Sequence, residues 1–484
     1  MLEARWIGAA GWIARAGLAL AMAACGLSDA TADAPDDGPD PAGTDSAAVC
    51  SDPGGGGEWR MRCLARVQID SSTGRFKAHL AAPRGLGADD LQGAYSIDPT
   101  KTKTASPKVG LVNAFGYTAL ESDLAMYRAQ YSLPVCNVAN GCLTIVNQQG
   151  QASPLPANPP MSNDWTVEAA LDLDMVSAAC PLCKIVIVEA NSDSSTDLFA
   201  AESIAASMTP DVISNSWGGA EQGDVRPFEK YFDHGDIAIF TAAGDDGYND
   251  QFATTKGPDY PGTSGHVISV GATRLERATL TSRGWTETAW AVSGTKMQSA
   301  GGSACSLSIA KPAYQTASPC TFKATADISA VGDPTTGVAV YNAGNAGWLV
   351  AGGTSAASPF VAGVYAATGN GKQTSGAFLA ANPTALNDVT SGNNGTCDNN
   401  SILCNAATGW DGPTGYGTPN GAALLAIGGG GGSGTTGGGT TGSGGGTTGD
   451  SGGGCCSTTG TGAGGTGTGL LVALGALLTR RRRR

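Results

Sequence analysis

TVEAALDLDMVSAACPLCKIVIVEANSDSSTDLFAAESIAASMTPDVISNSW, Thr166–Trp217, is the stretch that decides the fold class. Thr166–Ala178 and Thr196–Met208 read as helices, and Lys184–Ala190 and Asp211–Trp217 read as strands. The alternation continues outward. Val109–Phe115 reads as a strand, Thr118–Leu133 as an amphipathic helix and Ile237–Ala243 as a further strand. Strands separated by helices give a parallel sheet covered on both faces, so residues 85–427 are expected to form one α/β domain. Active sites of such sheets lie at the carboxyl ends of the strands. The Gly-rich segments NSWGG and AAGDDG follow strands directly.

The flanks have another character. Residues 1–25 carry Arg5 and Arg15, then the apolar run Ala16–Ala24, then Cys25, the pattern of a secretory signal. Met22-Ala23-Ala24-Cys25 resembles a lipobox, with an ordinary small-residue cleavage as the alternative. Residues 26–84 read as an acidic, Pro-rich tether and short pro-region, with too little patterning for a domain. Residues 428–454 are a Gly/Thr/Ser linker. Residues 455–484 hold Cys455-Cys456, the apolar run Gly469–Leu478 and Arg480–Arg484. That tail resembles the MYXO-CTERM class of sorting signals; a weak membrane anchor is the alternative. Both imply a chain that is exported and held at the cell surface through its termini.

Net charge is −13, and the terminal arginines mask a still more acidic body. Nucleic acid and anionic membrane surfaces would repel it, which excludes phosphate-backbone binding. Of 13 cysteines, all but Cys25, Cys455 and Cys456 fall into close pairs. These are Cys50/Cys63, Cys136/Cys142, Cys180/Cys183, Cys305/Cys320 and Cys397/Cys404. Local disulfides are expected, as suits an oxidising compartment. Cys180-Pro-Leu-Cys183 has no histidine nearby to complete a zinc site.

AGGTSAASPFVAG, Ala351–Gly363, presents Ser355 on a tight glycine turn at the start of a helix, as a nucleophile is presented. A serine needs a base, and the chain has 3 histidines. His79 precedes the sheet, His234 ends an expected helix, and His266 leads a strand. None has the context of a catalytic base, although His234 beside Asp233 stays a candidate. Glu168 and Asp172 stand four residues apart on one face of the helix Thr166–Ala178. Two carboxylates closing to 4 Å repel by about 4 kcal/mol at an effective dielectric near 20, roughly three pKa units. Such a pair holds one shared proton and keeps a basic oxygen in acid. Local sequence alone leaves two readings open, this dyad and two acids on a wet helix face.

VEAALDLDMVSAACPLCKIVIVEA, VISNSWGG, FTAAGDDG, GGTSAASP and DVTSGNNG…GWDGPTGYGTP occur in the order and spacing of sedolisins, the serine-carboxyl peptidases, over roughly residues 85–425. The resemblance implies a subtilisin-like fold, a Ser-Glu-Asp triad and a calcium site. By position, Ser355 is the nucleophile, Glu168 the general base and acid, and Asp172 the residue that orients it. Asp245 corresponds to the oxyanion aspartate, which must be protonated to donate, with Asp246 as its rival. Ser264 in PGTSG matches a structural position. One calcium ion is expected on the Asp388 and Asp411 side chains and the backbone oxygens of Val389, Ala407 and Gly409.

Residues 26–84 leave no room for the large prodomain that most sedolisins carry between signal and catalytic region. The expected function is a secreted or surface-anchored serine-type endopeptidase, acting as a monomer on protein or peptide substrates. The alternatives are a non-catalytic binding protein on a peptidase fold, and a subtilisin-type enzyme using His234.

Overall fold

The computed structural model describes residues 45–428, apart from 53–57, 293, 295–297 and 398–400. The signal, the first part of the tether, and the linker and sorting tail from residue 429 lie outside the described residues.

Three short strands come first, β1 (Ser46–Ala48), β2 (Arg62–Cys63) and β3 (Arg66–Gln68), followed by helix α1 (Ala88–Ala94). Then come β4 (Lys108–Ala114), α2 (Leu120–Gln130), β5 (Leu143–Asn147), α3 (Trp165–Ala179), β6 (Lys184–Ala190) and α4 (Ser195–Ser207). After β7 (Val212–Asn215), β8 (Trp217–Ala220) and β9 (Ala238–Ala242) the chain forms β10 (Ile268–Arg277), β11 (Trp285–Ala289) and β12 (Ile328–Val331). The hairpin β13 (Val338–Asn342) and β14 (Gly347–Gly352) leads into helix α5 (Thr354–Thr368).

The central sheet runs β11–β10–β9–β7–β4–β6–β5, with β12 also paired to β10. Every pairing is parallel except β10 with β11. Its strands are buried almost throughout, as a sheet with helices on both faces requires. This is the α/β architecture expected from the strand–helix alternation, in the subtilisin-like form that the sedolisin resemblance implies.

Helix α3 is apolar nearly all the way round and each of its residues is buried, so its three acids are buried with it. Asp164 caps it, accepting from the Thr166 amide at 3.2 Å. Helices α3 and α5 pack side by side. Gly363 permits that approach, because a Cβ there would stand 2.8 Å from Ala179 Cβ.

Three expectations are corrected. The strand expected over Asp211–Trp217 divides at Ser216: β7 stays in the main sheet, whereas β8 pairs with Asp259–Tyr260 and β2. The Trp217 indole N–H, donating 3.0 Å to the Val112 carbonyl, holds the point of departure. The helix before His234 is a 3-10 turn, Arg226–Tyr231, opened by Pro227. Residues 45–52 and 58–84 are not a tether beside the domain but part of it. β1 and β3 complete an antiparallel sheet, β1–β3–β14–β13. Strands of two or three residues carry no periodic signal; they are ordered by partners far along the chain.

All five expected cysteine pairs are disulfides, Cys50–Cys63, Cys136–Cys142, Cys180–Cys183, Cys305–Cys320 and Cys397–Cys404. No described helix is long and apolar enough to cross a membrane.

Candidate active site

Strand β14 ends at Gly352, the chain turns at Gly353 with φ +96°, and α5 begins at Thr354. Only glycine fits this turn, since a Cβ would overlap the Leu64 carbonyl oxygen and stand 2.7 Å from Asp245 Oδ2. Ser355 therefore sits in the first turn of α5, where backbone N–H groups have no acceptor four residues back, and its own amide donates to the Leu64 carbonyl oxygen at 3.1 Å. Pro359 cannot donate to the carbonyl four residues back. That carbonyl, of Ser355, faces Ser216 Oγ at 3.4 Å.

Ser355 Oγ donates to Glu168 Oε2 at 2.8 Å and lies 3.1 Å from the Ser216 carbonyl oxygen. Asp172, one helical turn beyond Glu168, accepts 2.6 Å from Ser216 Oγ. Glu168, Asp172 and Ser355 are all buried. Burial first, then the neighbouring Asp172, pushes the Glu168 carboxyl well above its ordinary value. Burial raises Asp172 likewise, and the Ser216 hydroxyl offsets part of it. Each acid also has a buried oxygen without a hydrogen-bond partner, Glu168 Oε1 and Asp172 Oδ2.

Asp245 follows β9. Its Oδ1 accepts from the Thr354 amide at 2.7 Å and the Thr354 hydroxyl at 2.9 Å. Its Oδ2 has no partner and borders the same space beside Gly353 as the Leu64 carbonyl oxygen. Burial pushes this carboxyl up to about 7, against hydrogen bonds from Thr354 and the charge of Arg66. The rival Asp246 points elsewhere, forming an ion pair with Arg62 at 2.5 Å.

The histidines are engaged away from Ser355. A ring nitrogen of His234 lies 3.0 Å from the Tyr231 carbonyl oxygen, and His266 faces Asp233 and Glu229. Ser264 Oγ accepts from the His266 amide within a turn. Asp174, the third acid of α3, accepts from the Tyr341 amide at 3.2 Å. Sequence reasoning missed Ser216 and Thr354, which join the acids to the nucleophile's helix. Both stand inside the motifs NSWGG and GGTSAASP, so position was visible but partner was not.

Of the expected calcium ligands, the two aspartates are tied to one turn, residues 407–411, through its backbone amides. Asp388 Oδ2 accepts from the Gly409 amide at 3.0 Å, and Asp411 Oδ2 from the Ala407 amide at 2.8 Å. Asp411 Oδ1 accepts from the Thr414 amide and hydroxyl at 2.8 and 2.9 Å. Burial, with Asp388 adding to it, pushes Asp411 up to about 7. Two acids forced together in an oxygen-rich turn suit a hard cation. No group of three or more His, Cys, Asp or Glu side chains placed to hold a metal ion is found among the described residues, so an ion here must draw on backbone oxygens.

A helix-borne serine hydrogen-bonded to a carboxylate, on a helix packed against the central strands of a parallel α/β sheet, is the equipment of a serine-type peptidase. Residues 157–410 match the Subtilase family of peptidases (Peptidase S8), and the chain belongs to that family. It is 29% identical over 394 residues to kumamolisin of Bacillus sp. (strain MN-32), covering 76% of this chain and 67% of that protein. It is 27% identical over 385 residues to sedolisin of Pseudomonas sp. (strain 101), covering 72% of this chain and 62% of that one. The chain thus spans about two thirds of the length of these relatives. Among solved structures it resembles Pseudomonas sedolisin complexed with two molecules of pseudo-iodotyrostatin, with a TM-score of 0.58 and 25% identity, over 72% of this chain and 98% of that one.

Proposed function

We propose that this chain is an exported serine-carboxyl endopeptidase that cuts peptide bonds through a Ser-Glu-Asp triad and an acyl-enzyme. The observation that carries the reading is the 2.8 Å hydrogen bond from Ser355 Oγ to Glu168 Oε2, a carboxylate where a histidine would otherwise serve.

Two buried acids one helical turn apart, each raised by burial, do not both ionise, so the pair keeps one proton and one basic oxygen. Ser355 passes its proton to Glu168 Oε2 as Oγ attacks the substrate carbonyl carbon. The charge that develops on the carbonyl oxygen meets the Ser355 amide and the protonated Oδ2 of Asp245. Glu168 then hands the proton to the leaving nitrogen. Water, deprotonated by Glu168, hydrolyses the ester and restores Ser355. Asp172 and Ser216 hold Glu168 in register and keep its proton affinity high. The sedolisin and kumamolisin relatives and the five disulfides support a peptidase working outside the cytoplasm. Surface anchoring through the termini and a monomeric state belong to the same reading.

Ser355→Ala, Glu168→Gln and Asp172→Asn should each lower turnover of a protein substrate by about 10⁴-fold or more, whereas His234→Ala should change it less than about twofold. Full activity in Glu168→Gln overturns the triad.

One structural calcium ion would be held by Asp388 and Asp411 with the backbone oxygens of Val389, Ala407 and Gly409. When bound it supplies the positive charge that the two acids lack. At a hundredfold excess over its dissociation constant it would add about 2.7 kcal/mol to stability. Chelation should therefore lower Tm, and Asp411→Ala should abolish that response. A melting curve indifferent to chelator removes the ion from the account.

A further inference from the structure

A row of polar side chains lies under the central sheet, on the face turned away from the nucleophile's helix. Ser214 of β7 bonds to Ser358, and Phe240 of β9 packs on Tyr365, so α5 covers the near face. Side chains alternate along a strand. The next residues, Asn215 and Thr241, therefore point to the far face. The two are register partners, and Thr241 is paired in turn with Ser269 of β10. Helix α4 packs on the neighbouring strands β4 and β6. Its Phe199 meets Trp217, just past the end of β7, with ring centroids 6.1 Å apart. Glu202, one turn further along α4, lies against Asn215, whose side chain favours the charged carboxyl against burial.

Glu202, Asn215, Thr241 and Ser269 are wholly buried. Both oxygens of Glu202, both amide atoms of Asn215 and the hydroxyls of Thr241 and Ser269 make no hydrogen bond of normal geometry. Buried polar groups are paired as a rule, so this row calls for a ligand. All but one of these atoms are oxygens, and together they carry the charge of a single carboxylate. No cation of the chain answers it. The charged groups on the elements beside α4 are spent elsewhere: Lys108 on the Met208 carbonyl, Glu189 on the Tyr117 amide, Glu229 on Tyr260 and Gly265, and Arg226 on Asp224. Lys184 is exposed, and Lys230 lies over the Tyr231 ring. A proton on Glu202 would cancel its charge but leave the Asn215 carbonyl and the Thr241 hydroxyl as bare as before.

We propose that Glu202, Asn215 and Thr241 form a buried site for a monovalent hard cation, potassium or sodium, with Ser269 closing the row. Hard cations take carboxylate, amide and hydroxyl oxygens. One positive charge balances one carboxylate, whereas a divalent ion would leave an uncompensated charge in the core. The ion takes the place of the proton on Glu202, which burial holds at about 8 when only a proton is at hand. Cation and proton therefore compete, and the ion binds more tightly as pH rises towards that value. The site stands behind the end of β7. Ser216 leaves the sheet there, its hydroxyl 2.6 Å from Asp172 and its carbonyl oxygen 3.1 Å from Ser355 Oγ. An ion on Asn215 braces the strand end that carries Ser216.

The test compares the full chain in potassium, sodium and choline chlorides at equal ionic strength, with calcium held constant. At about pH 8, Tm should be higher in potassium or in sodium than in choline by about 3 °C or more, and the gap should shrink towards pH 6. Adding the more effective salt to weakly buffered protein near pH 7 should release about one proton per chain. Glu202→Gln, which keeps the shape and removes the charge, should abolish both responses. Thr241→Val, of equal size without the hydroxyl, should raise the salt concentration needed by about tenfold. Equal Tm in all three salts, with no proton released, overturns the site and leaves the row to water. A response that survives in Glu202→Gln puts the ion elsewhere and overturns it as well. If Glu202→Gln does not fold, Thr241→Val decides, and an unchanged salt requirement in that variant overturns the site.

Discussion

Two groups of buried carboxylic acids flank the turn at Gly353. Behind the nucleophile lie Glu168 and Asp172, with no lysine or arginine ion-paired to either among the described residues. Beside it Asp246, Asp250 and Asp259 surround Arg62. Burial works against ionisation in both groups. In the second, Arg62 counters it and Asp259, though wholly buried, rises only to about 6. Burial by itself would lower the Arg62 guanidinium, and Asp259, Asp246 and Asp250 outweigh it, so its pKa lies above the ordinary arginine value. Burial therefore sets the pressure to protonate, and a cation decides whether an acid yields to it. Burial pushes Glu168 and Asp172 well above their ordinary values with no ion-paired cation to oppose it. In the second group Arg62 restrains Asp259 but fails to hold Asp250, which lies 4.0 Å from it and is pushed well above its ordinary value by burial and by Asp259.

The sharpest way to break this contrast is at Asp245. Asp245→Ala should cost about a hundredfold in turnover at mildly acidic pH, since it removes one donor to the developing oxyanion. An unchanged rate would mean that the protonated acid does no catalytic work.

The smallest effect is on stability. Burial holds Glu202 at about 8, and Glu189 and Asp245 at about 7. Each keeps its proton in the folded chain over a range where the unfolded chain has released it. That contribution is complete below the ordinary carboxyl range near 4 and is lost as pH climbs through 7 to 8. Tm should accordingly be higher at pH 5 than at pH 8, by about 3 °C or more. A Tm that climbs over that interval would show the acids to be ionised in the fold.

What could be read from the sequence follows the same division between local and distant causes. β6 has the expected limits, and α3 and α4 differ from theirs by about one residue at each end. These elements are long, strongly patterned, and set by their own periodicity. Glu168 and Asp172 were legible as a pair because four residues on a helix make one face. Asp245 and Ser355 were legible through motif resemblance, each lying at a glycine-marked turn after a strand. The Cys50–Cys63 disulfide was legible from spacing, but not what it staples. The course of residues 58–68 across the cleft was invisible, because its partners on β8 and β14 lie more than 150 residues away in sequence. Ser216 was overlooked for a similar reason. Its meaning depends on Asp172, which only the packing of α3 against α5 and β4 brings within 2.6 Å.

The central claim is that this serine works with a carboxylate base, Glu168, in place of histidine and with a protonated Asp245 as oxyanion donor. Turnover at saturating peptide against pH, for the wild-type chain and for Asp245→Asn, tests it most directly. Asp245 faces Thr354 and Arg66, which favour ionisation, and Asp246 and its own burial, which oppose it. As pH rises through about 7 the acid loses its proton and turns from oxyanion donor to repelling charge. Wild-type turnover should fall from mildly acidic to alkaline pH. Asp245→Asn should lose most of that fall, because an amide donates at any pH. Wild-type turnover that rises through neutrality to an alkaline maximum, with Asp245→Asn tracking it, would contradict the account.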